Sequence, residues 1–149
     1  MNLNIRKATE NDIEIIARFN IAMAMETEEK ALREETVLAG VRGLFSHPEA
    51  GFYIVAEVDH QVVGTLMITM EWSDWRNGVF WWIQSVYIQP EFRRQGIYRS
   101  LYTWVKQLAR DYPEVCGFRL YVEKENYAAQ KTYQSLGMQP THYLLYEEE

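Results

Sequence analysis

The stretch Val86-Tyr87-Ile88-Gln89-Pro90-Glu91-Phe92-Arg93-Arg94-Gln95-Gly96-Ile97-Tyr98-Arg99 constrains this chain more than any other. Residues Val79 to Gln89 are β-branched and aromatic, and they read as a strand that Pro90 ends. A short basic loop carrying Gly96 follows. From Gly96 to Tyr112 the period becomes helical, with Ile97, Leu101, Trp104, Val105 and Leu108 on one face. A strand that feeds a helix through such a loop builds an anion cradle. Loop N–H groups converge, the unpaired N–H groups of the helix start point the same way, and glycine lets the backbone approach closely. Arg93, Arg94 and Arg99 add positive charge at that point.

The flanking sequence extends the alternation of strand and helix. Leu3 to Lys7 reads as a first strand, and Thr9-Glu10-Asn11-Asp12 as a helix start before Ile13, Ile16, Phe19 and Met23. A second helix is expected over about Glu29 to Phe45, stopped by His47-Pro48. Phe52 to Val58 and Gln61 to Trp72 flank the two-residue turn Asp59-His60, and Asn77-Gly78 marks a second turn before Val79. Beyond Tyr112 the sequence predicts a strand over Phe118 to Val122, a helix over Asn126 to Leu136 capped by Gly137, and a last strand over Tyr143 to Tyr146. The order is strand, two helices, three strands, helix, strand, helix, strand. It predicts an α/β fold of mixed α+β type, with a central, largely antiparallel sheet flanked by helices.

With 149 residues and no repeat, linker or composition break, a single domain over 1–149 is expected. A hydrophobic share of 48% excludes a disordered chain. A net charge of -6 argues against a nucleic-acid partner, because phosphate backbones demand a basic face. Acid gathers at Glu26, Glu28, Glu29, Glu34 and Glu35 and again at Glu147 to Glu149. That suits a solvated helix face and a solubilising tail, or a field that draws a cationic small molecule. His47, His60 and His142 show no ligand spacing, so no metal is expected. The lone Cys116, a start without a signal pattern and the lack of a membrane-length apolar run point to a cytoplasmic protein with no membrane partner.

The basic loop resembles a known one. Strand, Arg93-x-x-Gly96, helix is similar to the acetyl-CoA pyrophosphate loop of the GNAT N-acetyltransferase superfamily, whose pattern is Gln/Arg-x-x-Gly-x-Gly/Ala. Tyr98 departs from the last position, so its side chain must turn away from the diphosphate. Asn126-x-x-Ala129-x-x-x-Tyr133-x-x-x-Gly137-Met138 resembles the superfamily's last helix, and Ile5-Arg6-Lys7-Ala8-Thr9-x-x-Asp12 its first strand and helix start. The resemblance spans nearly the whole chain and implies a GNAT-like acyl-CoA N-acyltransferase fold. It implies further that Val86, Tyr87 and Ile88 pair with the pantetheine arm of acetyl-CoA through their backbone. The loop of Arg93, Arg94, Gln95, Gly96, Ile97 and Tyr98 would hold the pyrophosphate, Asn126 would meet the cofactor arm, and Tyr133 would sit near the sulfur.

Transfer of an acetyl group to an amine sets its own demands. An alkyl amine with a pKa near 10.4 costs about 4–5 kcal/mol to deprotonate at neutral pH, so a base or a water chain matters. The thiolate that leaves has a pKa of roughly 8–9, and a tyrosine can donate to it. The place where some superfamily members keep a base falls near Trp82. Glu71 and Glu26 are the expected catalytic alternatives, ahead of Glu28, Glu123 and Asp74, while Gln84 suits the positioning of a water. Trp72, Asp74 and Trp75, with Trp81 and Trp82, fit either an acceptor wall facing a cation or a hairpin packed on the sheet and on a dimer partner. The expected activity is acetyl transfer from acetyl-CoA to a primary amine, on a small molecule or a peptide, by direct attack. The alternative is a non-catalytic acyl-CoA-binding or interaction module on the same fold.

Overall fold

The computed structural model describes residues 1–149. The chain runs through β1 (Leu3–Lys7), a 3-10 turn (Glu10–Asp12), α1 (Ile13–Glu28), α2 (Glu34–Phe45), β2 (Gly51–Val58), β3 (Gln61–Ser73), β4 (Gly78–Ile88), a second 3-10 turn (Pro90–Phe92), α3 (Ile97–Ala109), β5 (Val115–Arg119) and α4 (Tyr127–Ser135). The five strands lie in chain order, β1-β2-β3-β4-β5. Neighbours from β1 to β4 are antiparallel, and β5 runs parallel to β4. The mixed, largely antiparallel sheet expected from the sequence is the one formed.

Alternation along the strands divides the core in two. Ile54, Leu66, Ile68, Trp81 and Ile83 meet Ile97, Leu101 and Val105 of α3 on one face. Tyr53 and Val55 meet Ile13, Ile16 and Ala17 of α1 and Val41 of α2 on the other. Successive residues of β2 thus serve opposite cores, as a period of two requires. A partly buried ion network, centred on the buried Asp12, fixes the first helix to the sheet. The Arg6 guanidinium donates to both oxygens of Asp12 at 2.8 and 3.0 Å and to Glu57 at 3.1 Å, and the Thr9 N–H donates to Asp12 at 2.7 Å. Burial alone would raise the Asp12 carboxyl, but these donors more than offset it and hold it below the usual carboxylate range.

Three boundaries differ from the sequence reading. The second helix starts at Glu34 rather than Glu29, because Glu29 takes a left-handed conformation (φ 51°) that ends α1. The fifth strand is Val115–Arg119 rather than Phe118 to Val122, since its partner is the first half of β4, from Val79 to Trp82. Tyr143 to Tyr146 form no strand. No backbone hydrogen bond reaches them, and their side chains are exposed.

One irregularity positions the site. Thr65 pairs with Tyr87 while Met67 pairs with Gln84, so two steps along β3 face three along β4. The extra residue is a β-bulge, at which Ser85 adopts φ 52°. Pairing of β4 with β5 has already stopped at Trp82 and Arg119, and β4 continues alone on that side to Ile88. The two parallel strands therefore part around the middle of β4.

Candidate functional site

Where β4 ends, the chain builds the cradle that the sequence suggests. Arg94 (φ 63°) and Gly96 (φ 79°) take left-handed conformations on either side of Gln95. Alternation of this kind turns successive N–H groups toward one point. The N–H groups of Arg94 through Arg99 donate to no acceptor in the protein, neither a carbonyl nor a side chain. Gly96 is the N-cap of α3, no side chain caps that end, and its first turn holds no acid. A Cβ on Gly96 would meet nothing within 4 Å, so the space over this loop is open. Such a run of donors at a helix N-terminus fits a diphosphate.

The arginines divide their work. The Arg93 side chain faces away from the cradle: its Nε donates to the Ile88 carbonyl at 2.7 Å and its Nη2 to Glu26 Oε2 at 2.9 Å. The Tyr87 hydroxyl donates to the other Glu26 oxygen at 3.1 Å, and the Arg93 guanidinium lies 5.2 Å from the Tyr87 ring centroid. Glu26, near the end of α1, is thus a clamp that ties that helix to β4 and to the loop. Both its oxygens accept hydrogen bonds, one from the Tyr87 hydroxyl and one from the Arg93 guanidinium. Arg94 and Arg99 form no ion pair, so their charge is left to the cradle.

Three tyrosines meet beside the parted strands. Tyr98 stacks on Tyr102 with ring centroids 6.4 Å apart and stands edge-on to Tyr133 at 5.6 Å. Its ring has turned away from the cradle, as the bulky residue at this position requires. Burial raises the Tyr133 phenol above its ordinary value, which keeps the proton on it at neutral pH. Burial raises the Tyr98 phenol further, helped by its two neighbours, and its hydroxyl is buried without a partner. Asn126 caps α4, its Oδ1 accepting from the Ala129 N–H at 3.2 Å.

On the sheet face covered by α1 and α2, Glu71 Oε1 accepts from Trp82 Nε1 at 3.0 Å and from Arg119 at 2.8 Å, while Oε2 has no partner. Tyr121 lies 5.9 Å from Trp82, ring to ring. Trp82 and Arg119 are the last paired residues of β4 and β5, so this group stands where the strands part.

Residues 15–138 match the model of the acetyltransferase (GNAT) family. The chain belongs to that family. A possible acetyltransferase from Clostridium difficile 630 is 44% identical, with 100% of this chain and 98% of that one covered and a TM-score of 0.92. Two solved structures share the GNAT fold at lower identity. One is a predicted acetyltransferase with acetyl-CoA from Clostridium acetobutylicum (18% identity, 99% and 96% covered, TM-score 0.80). The other is an aminoglycoside antibiotic 6'-N-acetyltransferase from Acinetobacter haemolyticus (18%, 98% and 97%, 0.74). No curated protein matches the chain.

The GNAT family uses acetyl-CoA, and in this GNAT N-acetyltransferase the cradle follows the unpaired half of β4 while Tyr133 of α4 meets Tyr98 of α3. The hairpin residues do not join them. Asp74 and Trp75 sit in the turn before Gly78, ten residues from Ile88 and so about 33 Å along the strand from the cradle. Trp72 alternates with Glu71 onto the opposite face, in line with Ile68 and Met70 toward α3. Trp72, Asp74 and Trp75 thus stand at the hairpin end of the sheet, with Trp72 on the opposite face from Glu71. Trp82 and Tyr121 are the aromatics at the site, with Gln84 on the same face as Trp82. Tyr121 and Arg119 were missed, and the signal was there: both lie at the carboxyl end of the strand after the cradle helix. Two surface cavities, of about 110 and 220 Å³, share Lys7, Pro48 and Phe52 and belong to the far end of the sheet. No cluster of three His, Cys, Asp or Glu side chains converges, and no helix is long and apolar enough to cross a membrane.

Proposed function

We propose that this chain, as one N-acetyltransferase domain, moves the acetyl group of acetyl-CoA to a primary amine by direct attack. The observation that carries this reading is the unpaired run of N–H groups from Arg94 to Arg99 beside the half of β4 that has no neighbour. The loop would hold the pyrophosphate, with Arg94 and Arg99 adding charge and Gln95, Gly96 and Ile97 supplying backbone. Val86, Tyr87 and Ile88 would pair with the pantetheine arm, and Asn126 would meet it from α4. Of these backbone groups the Ile88 carbonyl is already taken by Arg93, so pairing falls to the others.

Acetyl-CoA supplies an activated thioester. The amine nitrogen forms the new C–N bond as the C–S bond breaks. A β4 N–H at Tyr87 or Ile88 would polarise the acetyl oxygen. Tyr133, its proton held by burial, gives that proton to the departing thiolate. Glu71, whose Oε2 is free, takes the amine proton directly or through a water held by Gln84. Trp82 and Tyr121 offer ring faces to a cationic acceptor on the side of α1 and α2. A cytoplasmic setting, which the single free thiol suits, would supply the cosubstrate.

An acetyl-CoA titration followed by a panel of free, polyvalent and peptide amines tests the proposal. Turnover with at least one amine is expected. Tyr133→Phe should lower kcat about 100-fold at unchanged acetyl-CoA affinity, and Glu71→Gln should lose rate in the same assay. Cofactor binding with no turnover of any amine, or an unaltered kcat in Tyr133→Phe, would remove the assigned chemistry.

A further inference from the structure

Glu71 does not stand alone on its face of the sheet. Its cross-strand neighbour is Phe80, and the ring of Phe80 carries two arginines. The Arg119 guanidinium lies 3.7 Å from the ring centroid, and the Arg76 guanidinium lies 4.9 Å from it. Gly117 lets that ring press against β5, since a Cβ there would come within 2.7 Å of it. Arg76 belongs to the hairpin turn, yet its side chain reaches back along the sheet to the ring opposite Glu71.

The fold leaves most of both guanidiniums free. Arg119 gives only Nη1 to Glu71, at 2.8 Å, and Arg76 gives only Nη1 to the Ser73 hydroxyl, at 3.3 Å. Arg76 has no ion pair, although the chain holds 21 acidic residues against 15 lysines and arginines. Carboxylates are not scarce here; none is spent on Arg76. A guanidinium laid against an aromatic face keeps its N–H edge available, and that edge matches a carboxylate. Two positive groups against one negative leave this face positive, the opposite of the chain as a whole. A polyamine or other polycation is therefore disfavoured. An amine that also carries a carboxylate satisfies every group: its nitrogen meets the free Glu71 Oε2, and its carboxylate meets the arginine edges. Glu71 and Arg119 touch, so the two groups of the acceptor must lie only a few bonds apart. An α-amino acid has that spacing.

We propose that the acceptor is a free amino acid, its α-amino group acetylated beside Glu71 while Arg76 and Arg119 hold its carboxylate. This rests on the acetyl-transfer reading of the same site. The amine nitrogen forms the C–N bond as the C–S bond breaks, and the products are an N-acetyl amino acid and CoA. The ammonium gives up two protons in all. One leaves through Glu71 to solvent, and one replaces the proton that Tyr133 gives to the sulfur.

The twenty free L-amino acids are assayed with acetyl-CoA, and each is compared with its α-amide and its decarboxylated amine. Calorimetry measures binding of the same compounds to the protein loaded with CoA. At least one amino acid should be turned over, with kcat/KM about 100-fold above that of its amide. Arg76 is exposed in a turn, so Arg76→Gln leaves the core untouched. That variant should raise the KM for the amino acid about tenfold and narrow its advantage over the amide by a similar factor. Acetyl-CoA affinity should not move. Turnover with no preference for acid over amide, or a preference that survives Arg76→Gln, would overturn the inference and leave acetyl transfer standing. Acid-selective binding without turnover of any compound would support the site and remove the chemistry assigned to it. Neither binding nor turnover of any amino acid would overturn the inference, whatever other amines do.

Discussion

Gly96 shows how much one residue can hold. Its φ of 79° is a conformation that side chains resist, and the place a Cβ would occupy is open space over the cradle. Alanine there is expected to cost about 1–2 kcal/mol of local strain and to intrude where a phosphate must approach. Gly96→Ala should raise the KM for acetyl-CoA about tenfold while kcat stays within twofold, measured under saturating amine. An unchanged KM would show that the loop does not hold the cofactor. Tyr98, two residues on, poses the converse problem of a large side chain near a crowded turn. It is solved by stacking on Tyr102 and by meeting Tyr133 edge-on, so the ring that a small residue would have avoided becomes a wall for the tyrosine assigned the acid role.

At the scale of elements, the Glu26 clamp joins α1, β4 and the cofactor loop through two hydrogen bonds to one carboxylate. Glu26→Gln keeps the shape and removes the charge. Because Arg93 and Glu26 are each about two-fifths exposed, solvent screens the pair, and a loss of about 1 kcal/mol is expected, or roughly fivefold in acetyl-CoA affinity. Calorimetric titration should find that loss with the pH–rate profile unmoved; a shifted profile would return Glu26 to the role of base. This is also where the sequence was least legible. Periodicity marked β1 to β4 and α1, α3 and α4 well, because a buried face imposes its own spacing. It could not say that Arg93 would reach Glu26, far away along the chain. Trp72 and Trp75 are neighbours of Glu71 in sequence, yet alternation and the length of the hairpin separate them from it. Tyr143 to Tyr146 have the composition of a strand, but composition does not supply a partner edge.

For the whole molecule, ionisable groups bound the pH range of stability. Asp12 and Glu57 sit below their ordinary values: Asp12 because Arg6 and Thr9 outweigh its burial, Glu57 through bonds from Arg6 and Asn4. A depressed carboxyl stabilises the fold above its unfolded pKa of about 4 and loses that contribution as pH falls further. Tyr53, Tyr87, Tyr98, Tyr102 and Tyr133 are all raised, chiefly by burial. Their contribution is complete below an unfolded pKa near 10 and is lost as pH rises beyond it. Thermal melts should therefore show a plateau between about pH 5 and 9 that falls on both sides. Asp12→Ala, which leaves Arg6 paired with Glu57 alone and removes the acceptor of the Thr9 N–H, should cost about 2 kcal/mol at pH 7 and lower Tm by roughly 4–8 °C. A melt unchanged by that substitution would show that the ion network is dispensable. The added residue at Ser85 works on the strand as a phase shift does on a wave. Before it, odd-numbered Trp81 and Ile83 face α3; after it, even-numbered Val86 and Ile88 do, and Tyr87 is sent to α1. Deleting Ser85 would bring the last part of β4 back into phase with the first. Tyr87 would swing to the wrong side of the sheet, and the clamp on the cofactor loop would lose its hydroxyl although no residue of the clamp had been altered.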